Sequence, residues 1–118
     1  MKISESNTWE VKIYIGGKKD YSGPQFSEEV VTDKIIEFQK ENNEKLNIRL
    51  TTCAFISGPW KESGWEIVIT NFPESKRTNF DIDKIAYDLA VYLMSKLEQK
   101  RVTIVSFWKT KVLDGDKK

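Results

Sequence analysis

Between Thr8 and Ile15 the chain alternates, with Trp9, Val11, Ile13 and Ile15 on one side and Glu10, Lys12 and Tyr14 on the other. That period of two predicts a half-buried strand. Gly16 and Gly17 end it, and the turn formers from Lys18 to Pro24 predict an exposed loop. Ser27 stands where it can cap a helix, with Glu28 and Glu29 in the first turn and Val31, Ile35 and Phe38 spaced as one helical face. A second strand is predicted from about Asn47 to Phe55. The segment Ser57 to Gly64 then reads as a turn leading into a third strand, Trp65 to Phe72, and so short a connection implies an antiparallel hairpin. Asp81 or Asp83 can cap a long second helix, along which Ile82, Ile85, Ala86, Leu89, Leu93 and Leu97 form one stripe. A last strand places Val102, Ile104, Ser106 and Trp108 opposite Thr103, Val105 and Phe107. Lys109 to Leu113 either extends it or folds back as a fifth strand.

This order, β-α-β-β-α-β, predicts an α+β, ferredoxin-like fold: a four- to five-stranded antiparallel sheet with two helices on one face. The 118 residues make one domain, with residues 1–7 and 114–118 expected to fray. Depending on register, the uncovered sheet face would carry Tyr14, Phe55, Val68, Phe72, Val105 and Phe107, too apolar to stay open to water. The second helix shows a further apolar row, Tyr87, Val91 and Met94. The row either widens the core contact or, together with the sheet face, implies a homo-oligomer.

Nineteen basic and 18 acidic residues leave a formal charge of +1, which removes the general attraction that drives binding to a nucleic acid polymer. No apolar run is long enough for a membrane span. The polar N-terminus shows no secretory signal, so a cytoplasmic location is expected. The chain has no histidine and one cysteine, Cys53, which excludes Ser-His-Asp and Cys-His catalysis and a disulfide within the chain. No motif points to a cofactor. The stretch Gly16-Gly17-Lys18 lacks the spacing of a phosphate loop and reads as a turn. These exclusions favour a binding protein over an enzyme.

Arginine is scarce: Arg49, Arg77 and Arg101 are the only three. Its planar fork of donors suits phosphates, and aromatic rings suit a purine. Candidate ligand-binding residues are therefore Asn71 and Phe72 at the third strand's exit, Arg77 close behind, Arg101 before the last strand, and Tyr21 and Trp60 in loops. Solvated charge and ordinary packing are the plainer alternatives for each.

The segments TWEVKIYIGG (residues 8–17), Tyr21-Ser22-Gly23, Ile69-Thr70-Asn71-Phe72-Pro73 and Gln99 to Ile104 resemble small phage proteins that counter the Thoeris defence by sequestering cyclic ADP-ribose signals. The resemblance implies an oligomeric, non-catalytic sponge for a small cyclic nucleotide, with the Asn71-Phe72-Pro73 exit and Arg101 in its site. The alternative expectation is an interaction module that inhibits a host enzyme.

Overall fold

The computed structural model describes residues 1–3, 5, 8–18, 25–72 and 75–115. Its elements are β1 (Glu10–Gly16), α1 (Glu28–Glu41), β2 (Asn47–Ser57), β3 (Trp60–Thr70), α2 (Asn79–Lys96), β4 (Arg101–Val105) and β5 (Thr110–Asp114). They form a five-stranded antiparallel sheet in the order β2-β3-β1-β4-β5. The expected α+β, ferredoxin-like arrangement is present, with β5 appended beyond β4. Of the two readings of the C-terminal stretch, folding back is the correct one. Ser106 N–H donates to the Lys109 carbonyl at 2.9 Å, closing a tight turn that carries Trp108 out of the strand. Asp114, at the end of β5, pairs in register with Arg101, and residues 116–118 lie outside the described residues.

One side of the sheet is the core. Val11, Ile13 and Ile15 of β1, Ile67 and Ile69 of β3, and Val102 and Ile104 of β4 point to it. Val31, Ile35 and Phe38 of α1 and Ile82, Ala86, Leu89 and Leu93 of α2 meet them there. Alternation thus fixes which strand face is buried, and helical spacing supplies the cover. Trp9 is buried at the rim, where its ring lies 5.1 Å from that of Trp108, and Trp108 lies 5.4 Å from Phe80. Three of the chain's 14 aromatic residues therefore stack together at one end of the sheet.

Ser27 caps α1 as expected, its hydroxyl accepting from Val30 N–H. For α2 the cap is Thr78, not Asp81 or Asp83. Thr78 accepts from Asp81 N–H at 3.1 Å while the Asp81 carboxylate accepts from Thr78 N–H at 2.9 Å, a reciprocal box that moves the helix start back to Asn79. Thr78→Ala should cost about 1 kcal/mol, read as a lower midpoint in urea with an unchanged slope. Tyr87 and Val91 are exposed, so the second row is not a wider core stripe; Met94 alone of the three packs against the core.

The larger difference is the hairpin. The segment expected to be a loop from Ser57 to Gly64 is strand almost throughout, and only Gly58 and Pro59 turn. Gly58 takes φ +56°, the left-handed conformation that lets a two-residue connection join two long strands.

On the other sheet face the register places Arg49, Thr51, Cys53 and Phe55 of β2 beside Val68, Glu66, Gly64 and Glu62 of β3, next to Lys12 and Tyr14 of β1. Thr103 and Val105 of β4 continue the face. It is thus mixed rather than apolar, and Phe72 and Phe107 lie beyond the strand ends. Val68 is fully buried on this side, flanked in register by Arg49 and Lys12. Among the described residues no helix is long and apolar enough to cross a membrane.

Candidate functional site

A lone carboxylate, Glu66, sits in the apolar run Trp65-Glu66-Ile67-Val68-Ile69 and faces away from the core because its neighbours on either side face into it. The register sets Tyr14 of β1 directly opposite. The Tyr14 hydroxyl donates to Glu66 Oε2 at 2.8 Å. Burial, helped by that hydrogen bond and the Glu66 charge, pushes the Tyr14 phenol up to about 12 from 10.0. Tyr14 is therefore a proton-holding donor across the physiological range and offers no phenolate base.

A raised folded-state value adds stability that is complete below pH 10 and is lost as pH climbs from 10 towards 12. In an alkaline titration followed by phenolate absorbance, wild type should show a late-ionising tyrosine that Tyr14→Phe removes. Ionisation of Tyr14 at the ordinary phenol value of about 10 would refute this.

Phe55 completes the aromatic wall, its ring edge-on to Tyr14 with centroids 5.8 Å apart. It can lie there because Gly64 beneath it has no side chain: a Cβ at Gly64 would strike both the Phe55 ring and the Ile15 carbonyl oxygen. A glycine inside a strand here marks close approach rather than a turn. Beside the rings opens a cleft of about 300 Å³, lined also by Glu62, Gln99, Arg101 and Thr103. Gln99 is a buried polar residue and anchors the cleft's edge, accepting from Gly16 N–H at 2.9 Å and donating to the Lys18 carbonyl at 2.9 Å. Arg101 is held by Asp114 at 2.9 Å. The Cys53 thiol, also on this face, is raised by burial and by the nearby Glu66 charge, which makes it a poor nucleophile.

The residues expected to bind ligand do not form one site. Asn71, Phe72 and Arg77 gather at the opposite end of the sheet, where Phe72 and Arg77 line a second cleft of about 440 Å³. There the Asn71 amide donates to the Arg77 carbonyl at 3.1 Å and to Asn79 Oδ1 at 2.8 Å, and the Arg77 guanidinium pairs with Glu44. Those groups hold the β3–α2 connection in place. Arg101 belongs to the first cleft, Trp60 stands at the exposed hairpin tip, and Tyr21 lies outside the described residues. Arg49 meets Glu10 at 3.6 Å across the open face.

Two solved structures share this fold. One is a phage SAM lyase in complex with S-methyl-5'-thioadenosine, with a TM-score of 0.70 and 13% sequence identity, over 97% of this chain and 95% of that one. The other is a phage SAM lyase in the apo state, with a TM-score of 0.67 and 14% identity, over 93% and 91%. No family model and no curated protein matches the chain. At such identity the likeness is one of fold.

It nevertheless corrects the sequence reading. The non-catalytic sponge for cyclic ADP-ribose rested on the resemblance of short segments, and the judgement that the chain is not an enzyme rested on the missing histidine and motifs. The neighbours are enzymes named for cleaving a sulfonium compound, whose leaving group is already activated by its own charge. Absence of a histidine therefore says nothing against catalysis on this scaffold. The interaction-module alternative gains no support from these neighbours. Of the resemblance, what stands is the coarser part: the fold neighbours are phage proteins, and one holds a small adenosine-containing molecule.

Proposed function

We propose that this chain binds S-adenosylmethionine, or a closely related adenosyl sulfonium, beside Glu66 and cleaves it to S-methyl-5'-thioadenosine. The observation that carries the reading is Tyr14, which lines the Phe55-walled cleft and donates its hydroxyl to Glu66 just behind it. The cleft and its border join the three features such a zwitterion requires: carboxylates for its cationic part, Glu62 on the lining and Glu66 beside Tyr14; rings for the adenine; and the Arg101 guanidinium for its carboxylate.

The chemistry asks little of the protein. The bond between sulfur and the γ-carbon of the amino acid chain breaks with its electron pair going to sulfur, which leaves a neutral thioether. The substrate's own carboxylate oxygen bonds to that γ-carbon and closes a five-membered lactone. One C–S bond is lost and one C–O bond gained, and no water or protein base enters. Opposite charges cancel along this path, so a dry, orienting pocket accelerates it. Tyr14 keeps Glu66 in place, and Glu66 holds the substrate's cation. A second copy of the chain against the open face would supply the missing dry wall, and a counter-defence role would operate by removing a methyl donor.

The deciding experiment incubates purified protein with S-adenosylmethionine and follows products by liquid chromatography. S-methyl-5'-thioadenosine should accumulate. Unchanged substrate together with no binding heat would overturn the proposal.

A further inference from the structure

At the cleft two interior strands separate. β1 and β4 pair through Lys12 with Val105, Ile13 with Ile104 and Tyr14 with Thr103, and there their ladder stops. Both strands nevertheless go on. Ile15 and Gly16 keep Trp65 and Gly64 of β3 as partners, and Val102 and Arg101 keep Leu113 and Asp114 of β5. In an unbroken register Ile15 would face Val102 and Gly16 would face Arg101. The sheet is therefore split between β1 and β4, and the cleft is lined from both rims of the split: Tyr14, Ile15 and Gly16 on one, Arg101 and Thr103 on the other.

A split sheet deprives backbone groups of their ladder partners, and such groups need others when water is excluded. The Gln99 carboxamide takes that place. Its Oε1 accepts from Gly16 N–H at 2.9 Å, and its Nε2 donates to the carbonyls of Lys18 at 2.9 Å and Leu97 at 3.3 Å. Only 9% of Gln99 is accessible, and it is the one polar side chain in the buried set among the described residues. The backbone delivers it there. α2 closes in a Schellman turn, with Glu98 N–H donating to the Ser95 carbonyl at 3.3 Å and Gln99 N–H to the Met94 carbonyl at 2.9 Å. Glu98 accordingly takes φ +49°, a conformation that glycine usually fills. Gly16 leaves room for the amide, since a Cβ there would stand 3.1 Å from Gln99 Oε1 and 3.1 Å from Glu62 Oε1. Both Nε2 hydrogens and Oε1 are engaged within the protein, so Gln99 acts on the cleft through the backbone it holds.

We infer that Gln99 is a positioning residue that keeps β1 and β4 apart: it satisfies Gly16 N–H in place of a β4 partner and so holds the Arg101 rim far enough away to admit the amino-acid end of an adenosyl compound. The identity of the ligand rests on the function proposed above; the split and its clamp do not. Without the carboxamide the ladder gains its next pair, Gly16 with Arg101, and the cleft narrows at that rim.

In the wild-type protein the Gly16 amide should exchange with deuterium as slowly as the amides at the centre of β1, read residue by residue by NMR. Fast exchange there overturns the clamp without recourse to any variant. Gln99→Met keeps the side chain's length and removes its hydrogen bonds, and a new cross-strand NOE between Gly16 and Arg101 is expected. Rims that stay apart in that variant overturn the inference. By calorimetry, Gln99→Met should weaken S-adenosylhomocysteine, which carries the amino-acid end, about tenfold, and S-methyl-5'-thioadenosine, which lacks it, by less than about twofold. Equal losses for the two compounds would make Gln99 a merely structural residue and overturn its positioning role. In an Arg101→Ala background Gln99→Met should cost S-adenosylhomocysteine nothing further, and an undiminished loss there also overturns it. If the wild type binds neither compound, the function proposed above fails, and the exchange and NOE results alone uphold or overturn the clamp.

Discussion

Glu66→Gln should lower kcat/KM for S-adenosylmethionine by about 100-fold, the size expected when a partly desolvated cation loses its charged partner. The substitution keeps shape and leaves an oxygen to accept from Tyr14, whose hydroxyl now lies 2.8 Å from the carboxylate, so the fold and thermal midpoint should barely change. The loss belongs mainly in KM, because the substrate's positive charge is present before the transition state and fades within it. Tyr14→Phe leaves the charge but releases its orientation, and about a fivefold loss is expected from one neutral hydrogen bond. Steady-state kinetics with product quantified by chromatography test both. Equal activity of Glu66→Gln and wild type would remove Glu66 from the site. From pH 6 to 9 the wild-type rate should show no inflection from Tyr14, whose ionisation is pushed up to about 12.

The sequence reading passed over Glu66: a lone charge in an apolar strand was a signal, yet nothing local told what it would meet. Its partner, Tyr14, lies 52 residues away, and only the β1–β3 register brings them together. The helices were legible because their signals are local: Ser27 with Glu28 and Glu29 at one start, and Leu89 and Leu93 a helical turn apart. The cap of α2, read as Asp81 or Asp83, lies three or five residues earlier at Thr78, and Asp81 takes part as the third helical residue answering it. Arg77 was read as a phosphate donor, and its ion pair with Glu44, 33 residues away, was not legible because only the fold brings the two together. Function was misjudged for a different reason. A list of absent catalytic residues constrains only reactions that need them, and a sulfonium carries its own activation.

Gly64→Ala is expected to cost about 3 kcal/mol, the upper part of the range for forcing a methyl group into filled space. Gly64 lies between Cys53 of β2 and Gly16 of β1, and its missing Cβ is the gap that the Phe55 ring occupies. The Phe55 ring can swing away, but the Ile15 carbonyl on the other side belongs to the β1–β3 ladder and can move only by parting the strands. The midpoint of thermal unfolding should fall by roughly 15 °C for a domain of this size. What survives should bind S-methyl-5'-thioadenosine poorly, since a displaced Phe55 no longer backs Tyr14. Phe55→Ala in the same background should recover part of the stability, because it removes one of the two collisions, and none of the binding. Additive losses in that double-mutant cycle would show that the ring and the glycine are not coupled.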